Sequence, residues 1–504
     1  MLASDPHLPP TSPSIWHITH LSAGDLRVCG VSVPGVPGVM LGHNERIAWG
    51  ITNLCPDVQD LYIEKLGAAE VRREEIVVRK SDGSRELVTL DVKVTRHGPI
   101  MIEKDSIGLA LRWTAFDTEI IDLDTFLAIN RARNWDDFVT ALSGYGGPPQ
   151  NFTYADTDGH IGYHSAGRIP TRRTGNGRLP YDGATDDGEW TGYVPFDELP
   201  HVFDPPSGTV IMANQRIVSD DYPHYLTDNW RVPYRARRIH ERLQTKRKLN
   251  VDEFLSIQGD TYSYPDAIFA KELVNLASSE EWSEIVQAVD DWDGYSNAGS
   301  TVLPLVTEMR KAFRRHILEA AIGTELAPLF EWRNEGTFLD QLVTERPAAW
   351  LPKEFGSYES LLLACYREAI DALSTQLGSD RTQWTWGRVA QVRFPHPLEK
   401  LAPRFATTTF PQNTGGSMPT VNAGSRVSLR FIADLSDWDS SRLCLPLGQS
   451  GDPSSPHRED QLDEWRNVAP AVLPFSREAI VAATQSMLII TPSATQFRRA
   501  NESS

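Results

Sequence analysis

Apolar residues at every second position mark the first two-fifths of the chain as strands. Val88, Leu90, Val92 and Val94 alternate with Thr89, Asp91, Lys93 and Thr95, the period of a strand with one face buried and one face wet. Asp82-Gly83 separates this run from Ile76-Val77-Val78, and such a pair tolerates the positive φ of a tight turn, so the spacing predicts a hairpin. Asp158-Gly159, between Phe152/Tyr154 and Ile161/Tyr163, predicts a second one. Antiparallel pairing is expected to dominate this part.

From about Tyr234 the apolar spacing becomes helical. Trp282, Ile285, Val286, Val289 and Trp292 fall on one helical face, and Ser278 with Glu281 has the spacing of a capping box ahead of it. Further helices are predicted over Leu303 to Ala320 and Tyr358 to Leu377, their apolar stripes read as core. After about Gln383 short mixed elements return, with Trp386-Gly387-Arg388-Val389 and Val427-Ser428-Leu429-Arg430-Phe431 as expected strands. Phe394-Pro395-His396-Pro397 and Gly451 through His457 read as loops, because Pro and Gly interrupt any regular element. No internal repeat or low-complexity linker divides the chain. A single domain over residues 1–504, with a helical insertion over about 234–380, is the expected organisation.

Composition narrows the class. At 504 residues, with 40% hydrophobic and 23% charged residues, the chain has the make-up of a soluble globular protein with a large core. Its net charge of −18 argues against a nucleic-acid partner, since phosphates call for a basic surface. The one dense basic run, from Arg231 to Lys248, reads as the solvated face of a helix, with Arg235 set apart below. Cys29, Cys55, Cys365 and Cys444 are widely spaced and read as buried thiols. No apolar run is long enough for a membrane span, and the first residues have neither the basic start nor the apolar centre of a signal peptide.

Several hydrolase chemistries leave marks that are missing. The sequence has no H-E-x-x-H, no G-x-x-x-x-G-K-[ST] and no G-x-S-x-G. Gly448-Gln449-Ser450-Gly451 comes near the last but reads as a turn, as does Asp156-Thr157-Asp158-Gly159, which lacks the Glu that closes an EF-hand. Thirteen scattered histidines permit too many triads for any one to carry weight.

One set of motifs does point to a family. Ser4-Asp5-Pro6-His7-Leu8, Gly42-His43-Asn44-Glu45-Arg46, Thr52-Asn53, Thr95-Arg96-His97-Gly98-Pro99, Gln150-Asn151-Phe152, Glu189-Trp190-Thr191-Gly192-Tyr193, Ala213-Asn214-Gln215-Arg216 and Tyr234-Arg235-Ala236-Arg237-Arg238-Ile239 follow one another along nearly the whole chain. Their order and spacing resemble the large chain of penicillin and cephalosporin acylases, the penicillin amidase family. The resemblance implies an α+β fold, the four-layered αββα sandwich of N-terminal-nucleophile hydrolases. It also implies cleavage of a linear amide, such as the side chain of a penicillin, a cephalosporin or an acyl-homoserine lactone, through an acyl-Ser intermediate.

That chemistry explains the residues. An amide is a poor electrophile, and a Ser at a chain start can use its own amine, of pKa about 8, as base. The oxyanion formed on attack needs donors already in place. By resemblance these are the backbone N–H of Asn53 and the side chain of Asn214, with Arg235 supporting Asn214 and His7 beside the nucleophile's amine. Read without the resemblance, the asparagines are turn or cap residues and His7 a turn histidine. Asp57, Asp60 and the Gly177 carbonyl match positions that hold a structural Ca2+; a loop with two solvated aspartates is the alternative.

The chain departs from the pattern at its front: the nucleophilic Ser is missing, and by resemblance Met1 matches a hydrophobic position in the strand just after it. We expect a missing segment carrying the small (alpha) chain and that Ser, a periplasmic or secreted parent, and an isolated chain that is inactive and poorly soluble. The alternative is a non-catalytic descendant serving as a binding or assembly subunit.

Overall fold

The structure, a computed structural model, describes residues 1–117, 124–244, 248–276, 282–411 and 415–490. The strands come in two groups. The first holds β1 (Leu2–Ser4), β2 (His17–Ala23), β3 (Leu26–Ser32), β4 (Leu41–Asn44), β5 (Ile47–Asn53), β6 (Gln59–Lys65), β7 (Glu70–Arg79), β8 (Arg85–Thr95), β9 (Gly98–Lys104) and β10 (Ile107–Trp113). After helices α1 (Asp124–Arg131) and α2 (Trp135–Leu142) it continues with β11 (Gln150–Asp156), β12 (Ile161–Ala166), β13 (Pro170–Arg172), β14 (Tyr181–Asp182), β15 (Trp190–Tyr193) and β16 (His201–Phe203). A helical block follows: α3 (Tyr234–Gln244), α4 (Val251–Gln258), α5 (Tyr264–Leu276), α6 (Ser283–Asp290), α7 (Val302–Ile322), α8 (Glu335–Glu345), α9 (Tyr358–Leu377) and the one-turn α10 (Trp386–Val389). The second strand group is β17 (Gln391–Phe394), β18 (Thr408–Pro411), β19 (Arg430–Ala433), β20 (Arg442–Cys444) and β21 (Ala471–Val472).

Two sheets pack face to face. One runs β16-β12-β11-β5-β4-β3-β2 and the other β1-β19-β20-β21. Val31, Ala48, Phe431 and Leu443 between the sheets and Val28, Trp49 and Phe152 on the helix side belong to one core, to which Phe126, Ile129, Phe138 and Leu142 of α1 and α2 also belong. Helix α1 lies on β3 and β4, while α4 lies on β19 of the other sheet, which completes four layers in the order α, β, β, α. Asn130 locks α1 down: its Oδ1 accepts from the Val39 N–H at 2.8 Å and its Nδ2 donates to the Val39 carbonyl at 2.7 Å. The sheets approach closely at Gly50, where an added Cβ would lie 2.9 Å from Ser4 Cβ of the facing sheet. A third sheet, β14-β6-β10-β9-β8-β7, extends away from this sandwich.

The helices from α5 to α9 enclose a core of their own, built on Phe269, Trp282, Phe313, Leu361, Leu362 and Leu373. Ser278 and Glu281, the capping box expected ahead of α6, lie outside the described residues, as does the side chain of Ile285. Tyr234 opens α3 at the position where the period changes, and its hydroxyl donates to Asp340, which also accepts from Arg310 at 2.7 Å.

Four sequence expectations change. Trp386 to Val389 is a helical turn, because the N–H groups of Trp386 and Gly387 donate to the Ser300 and Ala298 carbonyls and start a coil where a ladder was expected. The strand expected over Val427 to Phe431 runs instead from Arg430 to Ala433. The first two-fifths also contains two helices, α1 and α2, the latter capped by Asn134 Oδ1 accepting from Asp137 N–H at 2.9 Å. Finally, β8 does not bury one face along its length. Only Val94 and Thr95 pair with β9, and beyond them the β7–β8 hairpin stands in solvent with Val88 41% and Leu90 51% exposed. Both predicted hairpins form, around Asp82-Gly83 and Asp158-Gly159. The four cysteines are free thiols.

His43 on β4 and His164 on β12 are buried inside this architecture. His43 stacks on Trp438 at 4.3 Å, and burial pulls it down to about 4 from an ordinary value near 6.5. Burial does the same to His164, also to about 4. Both rings are neutral in the folded state, while the unfolded chain takes up protons below about pH 6.5, so stability present above that pH is lost as pH falls toward 4. Denaturant unfolding at a series of pH values is expected to show the midpoint dropping through this window. A His43→Gln variant should flatten the slope, and an unchanged slope would remove His43 from the account.

Candidate active site

Strand β5 ends at Asn53, and the chain then turns: Asn53 Oδ1 accepts the Cys55 N–H at 2.7 Å, with Cys55 at φ +60°. Asn214 also sits in the left-handed region, at φ +62°, which Asn tolerates better than most residues with a Cβ. Its Nδ2 donates to the Asn53 carbonyl at 2.8 Å, and its Oδ1 accepts from Arg235 at 2.7 Å. A guanidinium only donates, so the amide orientation is fixed by chemistry: oxygen toward Arg235, nitrogen toward Asn53. An amide nitrogen carries two hydrogens, and the bond to Asn53 uses one.

Arg235 also donates to the Ala213 carbonyl at 2.9 Å and to His7 Nδ1 at 3.0 Å. His7 Nδ1 must therefore accept, which places the ring proton on Nε2, 3.6 Å from Asp5 Oδ2. Burial lowers the His7 pKa, partly opposed by Asp5, so the ring stays neutral. Burial brings Arg235 down to about 10, still a cation at neutral pH. Helix α3 holds this guanidinium in place through Arg238, whose Nε and Nη2 grip Asp260 at 3.0 and 2.8 Å. The basic run is thus not wholly a solvated face, since Arg235 and Arg238 turn inward.

The four residues named from sequence as catalytic, His7, Asn53, Asn214 and Arg235, form one hydrogen-bonded chain although the sequence scatters them over more than two hundred positions. His7 touches Arg235, which makes it a positioning group here. Beside them the Arg231 N–H donates to the Asn214 carbonyl at 3.0 Å, and a cavity of about 640 Å³ opens against Gln215, Tyr225, Trp230 and Arg231. Burial raises the Cys55 thiol pKa, and Arg333 and Arg231 oppose that rise.

Asp57, Asp60 and Gly177 meet at a second place. Arg172 Nε donates to Asp60 Oδ2 at 2.7 Å, Trp190 Nε1 donates to the same oxygen at 2.5 Å, and Asp60 Oδ1 is buried without a hydrogen-bond partner among the described residues. A Cβ at Gly177, at φ +77°, would collide with that orphan oxygen and come within 3.0 Å of Asp57 Oδ2, so only glycine fits against the pair. Burial pushes Asp57 up to about 6, against the pull of Arg172. Hard oxygens gathered in this way suit calcium in kind, although among the described residues no group of three or more His, Cys, Asp or Glu is placed to hold a metal.

Sequence reasoning missed Asp5, the Ala213 carbonyl and Arg172. Asp5 and Ala213 lie inside the family motifs, beside the residues they serve. Arg172, in a Thr-Arg-Arg run, carries no local mark of its partners.

The penicillin amidase family model matches residues 1–482, and the chain belongs to that family. It is 30% identical over 526 residues to the penicillin acylase 2 proenzyme of Pseudomonas sp. (strain SE83), covering 97% of this chain and 67% of that protein. To the acyl-homoserine lactone acylase QuiP of Pseudomonas aeruginosa it is 25% identical over 561 residues, covering 94% of this chain and 65% of QuiP. The chain thus spans about two-thirds of the length of these curated relatives. Its fold is that of the thermostable penicillin G acylase from Alcaligenes faecalis, with a TM-score of 0.75 at 22% identity over 97% of this chain and 96% of that one.

An Arg235→Ala substitution would leave Asn214 Oδ1, the Ala213 carbonyl and His7 Nδ1 without their donor. We expect a loss of about 2–3 kcal/mol in urea unfolding. A change within about 0.5 kcal/mol, the range of an ordinary surface substitution, would show that these bonds do not hold the site together.

Proposed function

We propose that this chain carries the oxyanion-binding part of an amide hydrolase that acts through an acyl-Ser intermediate, on a linear amide such as the side chain of a penicillin, a cephalosporin or an acyl-homoserine lactone. The carrying observation is the Arg235–Asn214–Asn53 chain, which fixes an amide donor in direction before any substrate arrives. The second N–H of Asn214, with the backbone N–H of Asn53, would receive the oxyanion. The attacking hydroxyl would be a Ser supplied by polypeptide ahead of residue 1, together with a small chain. Membership of the amidase family and the two-thirds coverage of its relatives support this reading. Among the described residues no helix is long and apolar enough to cross a membrane.

The test is to produce the chain with and without the polypeptide encoded immediately upstream, and to assay both on a chromogenic amide. The isolated chain is expected to be inactive and the combined form active. In the active form Asn214→Leu should lower kcat by about 10²–10³, the usual cost of one oxyanion donor. Turnover by the highly purified isolated chain would place the nucleophile elsewhere.

We further propose that Asp57, Asp60 and a backbone oxygen near Gly177 hold a structural calcium ion. The buried, unpartnered Asp60 Oδ1 and the glycine cradle against both carboxylates support it. Calcium at a hundredfold excess over its Kd is expected to add about 2.7 kcal/mol to stability, and Asp60→Asn should abolish the response. A melting temperature indifferent to calcium and to chelator would dismiss the site.

A further inference from the structure

Strand β7 is an open edge. It ends the third sheet, pairs with β8 without a bulge along all ten residues, and every one of those residues is exposed. Val71 is 57%, Ile76 47%, Val77 62% and Val78 41% exposed. Edge strands of this length usually carry a Pro, a bulge, or like charges that repel a second strand. The sequence of β7, Glu-Val-Arg-Arg-Glu-Glu-Ile-Val-Val-Arg, has no Pro and no Gly, and it carries both signs of charge.

The arrangement of those charges is self-complementary. In an antiparallel ladder, facing residues point their N–H and C=O groups both toward or both away from the partner strand. When a strand pairs with its own copy, the two residue numbers in each facing pair must therefore have the same parity. With Glu74 on the two-fold axis, Arg73 faces Glu75 of the second copy and Val71 faces its Val77, and symmetry repeats both pairs. This face of the ladder reads apolar, charge pair, charge pair, apolar. On the other face, Glu74 meets Glu74 of the second copy on the axis, each flanked on the diagonal by the other copy's Arg72, which stands opposite Ile76. Any such axis sets one residue against itself; moving it to Arg73 would pair Arg72 with Glu74 but set Val71 against Glu75, and moving it to Glu75 would set Arg73 against Val77 and Glu74 against Ile76. Of these three registers only the one on Glu74 makes both Arg–Glu and Val–Val pairs.

We infer that β7 is a homodimer edge: two copies of this chain join antiparallel through Glu70–Val78, with Glu74 on the two-fold axis, to make one sheet continuous across both. Opposite-charge and apolar cross-strand pairs stabilise such a ladder, and a symmetric pairing closes on itself without propagating. Arg73 already bonds Asp91 on β8 at 3.0 Å, which holds its side chain on the face where Glu75 of the second copy would arrive.

The test is sedimentation equilibrium of the full chain over a wide concentration range, with circular dichroism to check that each variant folds. The wild-type chain is expected to show a concentration-dependent doubling of mass. Arg73→Glu and Glu75→Arg, each alone, should weaken self-association by at least about tenfold, because each sets like charges opposite one another twice. Mixing the two variants should restore the dimer. The acid introduced in one chain then faces the base introduced in the other, and the native Glu75 of the first faces the native Arg73 of the second. A wild-type chain that stays monomeric, a dimer untouched by either reversal, or a mixture that fails to recover would each overturn the inference. So would the finding that these reversals break only an association with the polypeptide encoded upstream.

Discussion

The guanidinium of Arg235 is the constraint on which the site depends. It is partly buried, it donates to His7, the Ala213 carbonyl and Asn214 at once, and no lysine could reach three acceptors in that fixed geometry. Because it cannot accept, it dictates the state of its neighbours: the tautomer of His7 and the orientation of the Asn214 amide both follow from it. A directed donor then exists in the resting protein, and under the function proposed above no reorganisation would be required if negative charge developed beside it.

Helix α3 brings this charge to the sandwich from the helical side. Tyr234 reaches Asp340 in the helical block, Arg238 reaches Asp260 at the end of α4, and Gln258 Nε2 donates to the Phe431 carbonyl of β19 at 3.2 Å. The helical block and the two-sheet core are therefore joined through polar contacts of fixed direction around α3 and α4. The opening segment enters the same system from the other side, as β1 pairs with β19 and the Ser428 N–H donates to the Pro6 carbonyl at 3.0 Å. His7 is thereby delivered to Arg235 by strand pairing.

The third sheet obeys a different rule. Where β6 and β10 approach the body, Tyr62 is buried and stacks on His97 at 3.7 Å, which is held by Glu64 on one nitrogen and Glu189 on the other. Farther out the same sheet loses its covering layer, and the alternation in β8 continues without an interior to face. The pattern of apolar residues was legible there, but its meaning was not. Period two reports a strand, and burial depends on whether another layer lies over it.

Local chemistry explains what could be read from the chain alone. Turn residues with positive φ set the two hairpins, the change of apolar period set the start of α3 at Tyr234, and paired prolines set the loop after β17. The motif series placed the fold class, since such spacing constrains many distant positions together. Other features depended on contacts the sequence does not display. Trp386–Val389 coils because the carbonyls of Ser300 and Ala298 are beside it, and Asp60 is neutralised by an arginine more than a hundred residues away. Sequence determined the elements and the residue types; only the packed tertiary structure decided which charges meet, because hydrogen bonds and ion pairs act over a few ångströms in space, whatever the separation along the chain.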